Sequence, residues 1–319
     1  MDQNKDTSQV HEDSFLKHYK TRKRLFLGFL FLVIGVLIAG FWNYHLVDGF
    51  GRDFVAGRTI GDTGALAGSY GENGGGFGFI FAAIAGLAAT FTACNCVAFA
   101  MIPGLVCSTD SRESTRKSAL RAILAFVTPV LLVGAAYGIF IGFLGPEGVA
   151  AINERPVRIA QAQTVFSVIG MIMIFWGFLE LGFFKRLTQR LSPLTREFFS
   201  ASTTKATLLG FLVGLFAVGR PFPVFREFLT YAATAQSPTY GAAVMMIHGL
   251  GQILVLLSLF FLLVWFAGSR MMRWASEKPH QPRMVTALAL LGGGAYFVFY
   301  WGLAFIYDIG RWGFKLGWY

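Results

Sequence analysis

The sequence predicts an all-α integral membrane protein, a bundle of about seven transmembrane helices. Of its 319 residues, 55% are hydrophobic and only 14% are charged, whereas a soluble domain usually carries about a quarter charged residues. Phe alone occurs 34 times. Long apolar runs recur along the chain, and roughly 20 apolar residues suffice to cross a bilayer as a helix. A lipid bilayer is therefore the expected surroundings of this chain.

Seven apolar segments are separated by polar or Gly/Pro-rich breaks, such as GENGGGFG at 71–78 and the stretch from Gly145 to Arg158. Each span must be helical, because hydrocarbon offers no hydrogen-bond partner to a bare peptide group. The predicted spans are 25–47, 76–106, 118–145, 162–184, 205–231, 240–268 and 284–307.

The distribution of basic residues predicts the orientation of these spans. Nineteen of the 27 Lys and Arg residues lie in the N-terminal tail or in alternate loops, and loops rich in Lys and Arg face the cytoplasm. The tail at 1–24 is therefore predicted to be cytoplasmic, and the tail at 308–319 extracytoplasmic. The net charge of +10 is then explained by membrane orientation, and no nucleic-acid partner is predicted.

The second and fifth spans resemble each other. Each has a Gly-containing approach, an interruption and a renewed apolar run; the interruptions are Cys94-Asn95-Cys96 and Arg220-Pro221-Phe222-Pro223. The basic loops make the two spans enter the membrane from opposite sides. The sequence therefore predicts an extra N-terminal helix at 25–47 and two inverted three-helix repeats at 76–184 and 205–307, an arrangement typical of transporters.

All three cysteines fall in one short stretch, Cys94, Cys96 and Cys107, with Pro103 between the last two. In a regular helix residues i and i+2 do not face each other. Local unwinding would let Cys94 and Cys96 form a disulfide or share a soft metal ion. Cys96 and Cys107 are a further possible pair if Pro103 bends the chain. The alternative is that each thiol packs as a small apolar residue.

Arg220 is the second candidate for chemistry. An arginine at mid-membrane is costly and should face the bundle interior or a wet cavity. There it could hold an anion, a thiolate or a carboxylate. Pro221 and Pro223 break the helix and free nearby carbonyl groups, which could satisfy the guanidinium instead.

Other polar residues are candidates for the same cavity. His248 and Gln252 are one helical turn apart and share a face, where they could line a binding site with Asn95 or join two helices by hydrogen bonds. Arg226 and Glu227 are predicted to form a salt bridge near the outer surface. No nucleotide-binding, haem-attachment or zinc motif occurs, so no cofactor is predicted.

Two segments carry a family resemblance. The stretch from Gly86 to Leu105, with its thiol ahead of MIPGL, resembles the first repeat of the CcdA/DsbD transmembrane family, and GLFAVGRPFPVF at 214–225 resembles the start of the second. The resemblance implies two inverted three-helix repeats in a bacterial inner membrane. It also implies transfer of reducing equivalents from cytoplasmic thioredoxin to an extracytoplasmic thiol protein, notably for cytochrome c maturation.

The resemblance further implies that Cys96 or Cys94 is the first-repeat redox cysteine and that Pro103 is the matching proline. The second-repeat cysteine is missing, because its place falls near Arg220 to Phe222, where no thiol exists. Either the three cysteines supply the redox pair among themselves, or the chemistry has been lost. Two other hypotheses stay open: a transporter of a soft metal ion or small sulfur species, and a non-catalytic membrane assembly subunit.

Overall fold

The computed structural model describes residues 23–100, 115–184, 201–277 and 280–318, and these residues form helices and turns without a strand. Cys107 and Pro103 lie outside the described residues. The helices are α1 (Lys23–Gly40), α2 (Tyr44–Gly49), π1 (Phe50–Ala56), α3 (Gly57–Ile60), α4 (Thr63–Ala67), α5 (Tyr70–Ala89), α6 (Ala93–Ala100), α7 (Thr115–Asn153), α8 (Arg155–Leu181), α9 (Ser202–Gly219), α10 (Pro223–Ala233), α11 (Pro238–Glu277), α12 (His280–Phe297), π2 (Val298–Ala304), α13 (Phe305–Tyr307) and α14 (Trp312–Lys315).

The described helices confirm an all-α membrane protein but not the count of seven spans. Within the described residues, five helices are long and apolar enough to cross a bilayer, and the bent pair α9–α10 raises the number to six. The predicted second span corresponds to α5 and α6, which do not meet this test. Large apolar side chains on the outer faces, such as Phe143 and Trp265, are more than three-quarters exposed; on a membrane protein such side chains face lipid.

One predicted boundary is wrong, and two predicted breaks are shorter than expected. The first span ends at Gly40 rather than at 47, because the Asn43 side chain accepts a hydrogen bond from the Leu46 amide and starts α2. The predicted break at 71–78 contains Gly74, whose non-helical backbone interrupts α5, but the residues on both sides of this kink are helical. The predicted loop after Gly145 is largely helical, since Gly145 alone adopts a left-handed backbone (φ 67°) and the helix then continues to Asn153.

The long helices pack in pairs that relate the two halves of the chain. Helix α5 packs against α11, α7 packs against both α9 and α11, and α8 packs against α12. The three long helices of the first half are α5, α7 and α8, and their counterparts in the second half are α9, α11 and α12. Exchanging every helix with its counterpart leaves this set of contacts unchanged. The predicted inverted repeats would produce such a pattern.

Glycines allow the helices around the core to approach closely. A methyl group built on Gly86 of α5 would overlap the carbonyl oxygen of His248 on α11, and one built on Gly251 would lie about 2.5 Å from the carbonyl oxygen of Ala83. Small residues at crossings of this kind let helix backbones come together in membranes. The crossing places His248 and Gln252 beside the C-terminal end of α5.

Candidate functional site

The break between α9 and α10 follows directly from the sequence Arg220-Pro221-Phe222-Pro223. A residue before proline is driven out of the helical region into extended backbone, and both Arg220 (φ −69°, ψ 119°) and Phe222 (φ −58°, ψ 125°) are extended. Pro223 then occupies the first position of α10, where a missing N–H costs nothing. The two helices meet at an 80° bend, with Arg220 at the corner.

The break between α5 and α6 has no proline and is built from side-chain hydrogen bonds. The carbonyl of Ala89, at the end of α5, accepts bonds from the Thr92 hydroxyl (2.7 Å) and the Asn95 amide (2.9 Å). The Thr90 hydroxyl donates to the Gln252 carbonyl at 2.9 Å. These bonds replace partners that the helix loses where it stops. The interruption therefore lies at 90–92, just before Cys94-Asn95-Cys96, rather than at these three residues as predicted.

A buried polar cluster joins the two breaks. Arg220 is 1% exposed, and its Nη1 donates to Gln252 Oε1 at 3.1 Å and lies 3.4 Å from His248 Nε2. Gln252 Nε2 in turn donates to Asn95 Oδ1 at 3.1 Å. The structure thus brings together Arg220, Asn95 and His248, the three residues predicted to bind substrate.

Two further groups of Arg220 are left without partners among the described residues. Its Nε and Nη2 atoms are buried and make no hydrogen bond there. A buried unpaired donor is costly, and more so on a charged group. The guanidinium also lies 5.8 Å from the centre of the Phe225 ring, but a ring face satisfies no N–H directly. These two donors are therefore available to an anionic group.

Two acidic groups share the electrostatic environment of Arg220. Cys94, in the first turn of α6, is 5% exposed and interacts with the guanidinium. Asp48, at the end of α2, interacts with it as well, and the buried Oδ1 of Asp48 has no hydrogen-bond partner among the described residues. Helix α2 packs against α6. A thiol and a carboxylate therefore lie around one buried cation.

The predicted surface salt bridge of Arg226 is wrong, because this arginine is buried beside the cluster with 3% exposure. Its Nε donates to the Arg220 carbonyl at 2.7 Å and its Nη2 to Gln161 Oε1 at 3.2 Å. Gln161 also donates to the Val218 carbonyl at 2.7 Å. Two carbonyls at the helix break, those of Val218 and Arg220, are thus satisfied by neighbouring side chains. The described hydrogen bonds of the Arg220 side chain go to other side chains and not to these carbonyls.

The CxC motif lies within the described helix α6. Residues two apart on a helix point about 200° from each other, so a bond between Cys94 and Cys96 would require the helix to unwind. The side chain of Cys96, like the whole of Cys107, lies outside the described set. Among the described residues no group of three or more His, Cys, Asp or Glu side chains could hold a metal ion.

Asp48 was not predicted as a site residue, because it lies in a break between predicted spans, where an acidic residue is ordinary. Gln161 and Thr90 were not predicted either, since neither is charged and each contacts a partner on a helix distant in sequence. The feature of the sequence that could have identified these residues is the number of polar residues in otherwise apolar spans.

Comparison with known proteins identifies the family. The chain matches the model of the cytochrome C biogenesis protein transmembrane domain over residues 77–276, more than half of its length. The match includes Cys94, Arg220 and His248 and begins after Asp48. Comparisons with curated proteins and with solved structures give no significant match. The resemblance predicted from the sequence is confirmed: this chain belongs to the cytochrome c biogenesis transmembrane domain family.

Proposed function

We propose that this protein carries reducing equivalents across the membrane by thiol-disulfide exchange, in the service of cytochrome c maturation. The observation that supports this proposal best is the position of Cys94. Its thiol is buried next to a helix break and within the electrostatic reach of Arg220. The thiolate is the nucleophile in disulfide exchange, and a neighbouring cation favours it.

Arg220 takes the place where the family resemblance expects the second redox cysteine. A guanidinium cannot form a disulfide, but it can stabilise the sulfur anion that appears whenever a disulfide is attacked. Its Nε and Nη2 groups, which have no hydrogen-bond partner among the described residues, are suited to that task, since hydrogen bonds to charged groups are among the stronger ones. The site thus retains one redox sulfur and gains a fixed positive charge.

The exchange needs a second sulfur for its two electrons. Because residues two apart on a regular helix do not face each other, Cys107 is a better partner for Cys94 than Cys96 is in this proposal. A thiolate of cytoplasmic thioredoxin attacks the Cys94–Cys107 disulfide and forms a mixed disulfide; its second thiol then displaces the chain, which leaves as a dithiol. That dithiol reduces the disulfide of an extracytoplasmic thiol protein by the same two steps.

The proposed orientation follows the predicted topology. The N-terminus lies in the cytoplasm and the tail at 308–319 outside, in a bacterial inner membrane. The repeats at 76–184 and 205–307 surround the site, and the symmetric helix contacts support them.

A second candidate function is the transport of a small anionic sulfur species. It is favoured by the Nε and Nη2 donors of the buried Arg220, which lack a hydrogen-bond partner in the described part of the chain and would bind an anion in the absence of redox chemistry. The same cation disfavours the soft-metal alternative, because a guanidinium repels a metal ion.

A trapping experiment tests the proposed function. Thioredoxin that lacks its resolving cysteine should form a mixed disulfide with the protein in membrane vesicles, detected as an adduct that a reducing agent releases. The matched control carries serine at Cys94, Cys96 and Cys107 and should form no adduct. Absence of an adduct with the unmodified chain would contradict the redox proposal. Uptake of sulfide or thiosulfate that needs Arg220 but no thioredoxin would favour transport.

A further inference from the structure

A carboxylate from outside the matched family region reaches the candidate site. Asp48 precedes residues 77–276, on a segment that packs into the helix breaks. A methyl group built on Gly51, in the neighbouring π1 segment, would overlap the Ala88 carbonyl oxygen near the end of α5 and lie 3.4 Å from the Phe222 ring. The segment from α2 to π1 therefore lies against both interruptions, with no room for a side chain at Gly51.

Two arginines among the described residues act on the Asp48 carboxyl. Arg220 and Arg52 each interact with it. Arg52 is mainly engaged by the exposed Asp53, with Nε to Oδ1 at 2.7 Å, and also interacts with Glu227. His45 lies on the same helix α2 as Asp48 and forms a ring contact with Tyr44. Arg220 is therefore the cation that Asp48 and Cys94 have in common.

Charge balance in a buried site limits how many anions one cation can support. An uncompensated charge away from water is costly, so the Arg220 guanidinium stabilises one neighbouring anion better than two. The Asp48 carboxylate and the Cys94 thiolate both interact with that guanidinium. Formation of either anion therefore opposes formation of the other, as in any strongly coupled pair of titrating groups.

We propose that Asp48 and Cys94 are alternative counter-anions of Arg220 and share one proton between them. This inference rests on the proposed function and deepens it. When Cys94 attacks a disulfide, its Sγ forms a bond to one sulfur of the target, the other sulfur leaves with the electron pair, and the thiol proton passes to the Asp48 carboxylate. When Cys94 is displaced again as a thiolate, it recovers that proton. Asp48 is thus the proton acceptor in this step, and Arg220 is the cation that stabilises whichever of the two groups is charged.

The protonation of Asp48 falls in a range that suits this exchange. Burial raises the pKa of Asp48 to about 6, although Arg220 and Arg52 both act to lower it. The proton therefore leaves the carboxyl as pH rises through about 6. Above that pH the carboxylate is charged and competes with the thiolate for Arg220; below it the competition ends.

The test is a pH titration of the Cys94 thiolate, followed by its ultraviolet absorbance in the full-length protein in lipid nanodiscs. Cys96→Ser and Cys107→Ser are present throughout, so that Cys94 is the remaining thiol. Asp48→Asn should move thiolate formation to lower pH by about one unit, a tenfold increase in thiolate at a given pH below the midpoint. Asp48→Glu, which retains a carboxylate, should restore the original midpoint.

Asp308→Asn is the matched control, because Asp308 is an exposed carboxylate outside α2 and π1. Its partners Arg311 and Lys315 hold the pKa of Asp308 below its usual range, so this variant should leave the Cys94 titration unchanged. An unchanged or higher midpoint in Asp48→Asn would overturn the inference; Asp48→Ser repeats the measurement if the Asn variant does not fold. The titration needs no thioredoxin, so it can fail while trapping succeeds, and the reverse.

Discussion

A Cys94→Ser variant is expected to lose the transfer of reducing equivalents while it retains the fold. Serine has nearly the shape of cysteine, and Cys94 is buried in a regular helix, so the substitution should disturb packing little. A hydroxyl forms no disulfide, so the two-electron exchange should stop altogether. The measurement uses proteoliposomes with the thioredoxin system inside and a disulfide-linked fluorescent peptide outside, and the expected rate is that of liposomes without protein.

Cys96→Ser is the matched control for this experiment, since it changes a second thiol in the same helix. It should retain transfer if Cys94 and Cys107 form the redox pair. Transfer at the full rate in Cys94→Ser, with loss in Cys96→Ser, would move the redox centre to Cys96 and contradict the assignment made here.

An Arg220→Gln variant is expected to slow the reaction of Cys94 with disulfides by about tenfold or more near neutral pH. The change removes the buried cation that favours the thiolate, and a shift of one unit in thiolate formation is a tenfold change in its population. Stability should suffer less than reactivity, because a neutral amide carries a smaller desolvation cost than an incompletely paired guanidinium. Single-turnover reaction with a small disulfide, followed by stopped flow, provides the rate.

Arg220→Lys separates charge from structure in that experiment. Lysine keeps the charge but loses the planar array of donors, so it should restore part of the rate. Arg58→Gln removes an exposed arginine that contacts the Phe54 ring and should have no effect. Equal rates for Arg220→Gln, Arg220→Lys and the unmodified protein would show that the cation plays no part in thiol chemistry.

The helix break at Arg220 could be predicted from the sequence because its cause is local. Each of two prolines forces extended backbone on the residue before it, whatever the surroundings. The break at Thr90 to Thr92 could not be located in this way. It depends on the contact of the Thr90 hydroxyl with Gln252, a residue far along the chain. The break predicted at 94–96 therefore lies a few residues too late.

Arg226 shows why the burial of a charged residue is difficult to predict from the sequence. The sequence shows an arginine followed by a glutamate, which indicates a surface ion pair. The structure buries the arginine because Asn153 and Gln161 supply acceptors from two other helices. In contrast, the cost of a lone arginine at mid-membrane correctly indicated that Arg220 faces the interior.

The proposed function requires the Cys94 thiol to be redox-active inside the membrane-embedded bundle. Differential alkylation of the native membrane measures it most directly: free thiols are blocked with one maleimide, disulfides are reduced, and the newly exposed thiols are labelled with a heavier one. Cys94 should carry the heavy label when thioredoxin reductase is inhibited and the light label when it is active. A light label on Cys94 under both conditions would contradict the account.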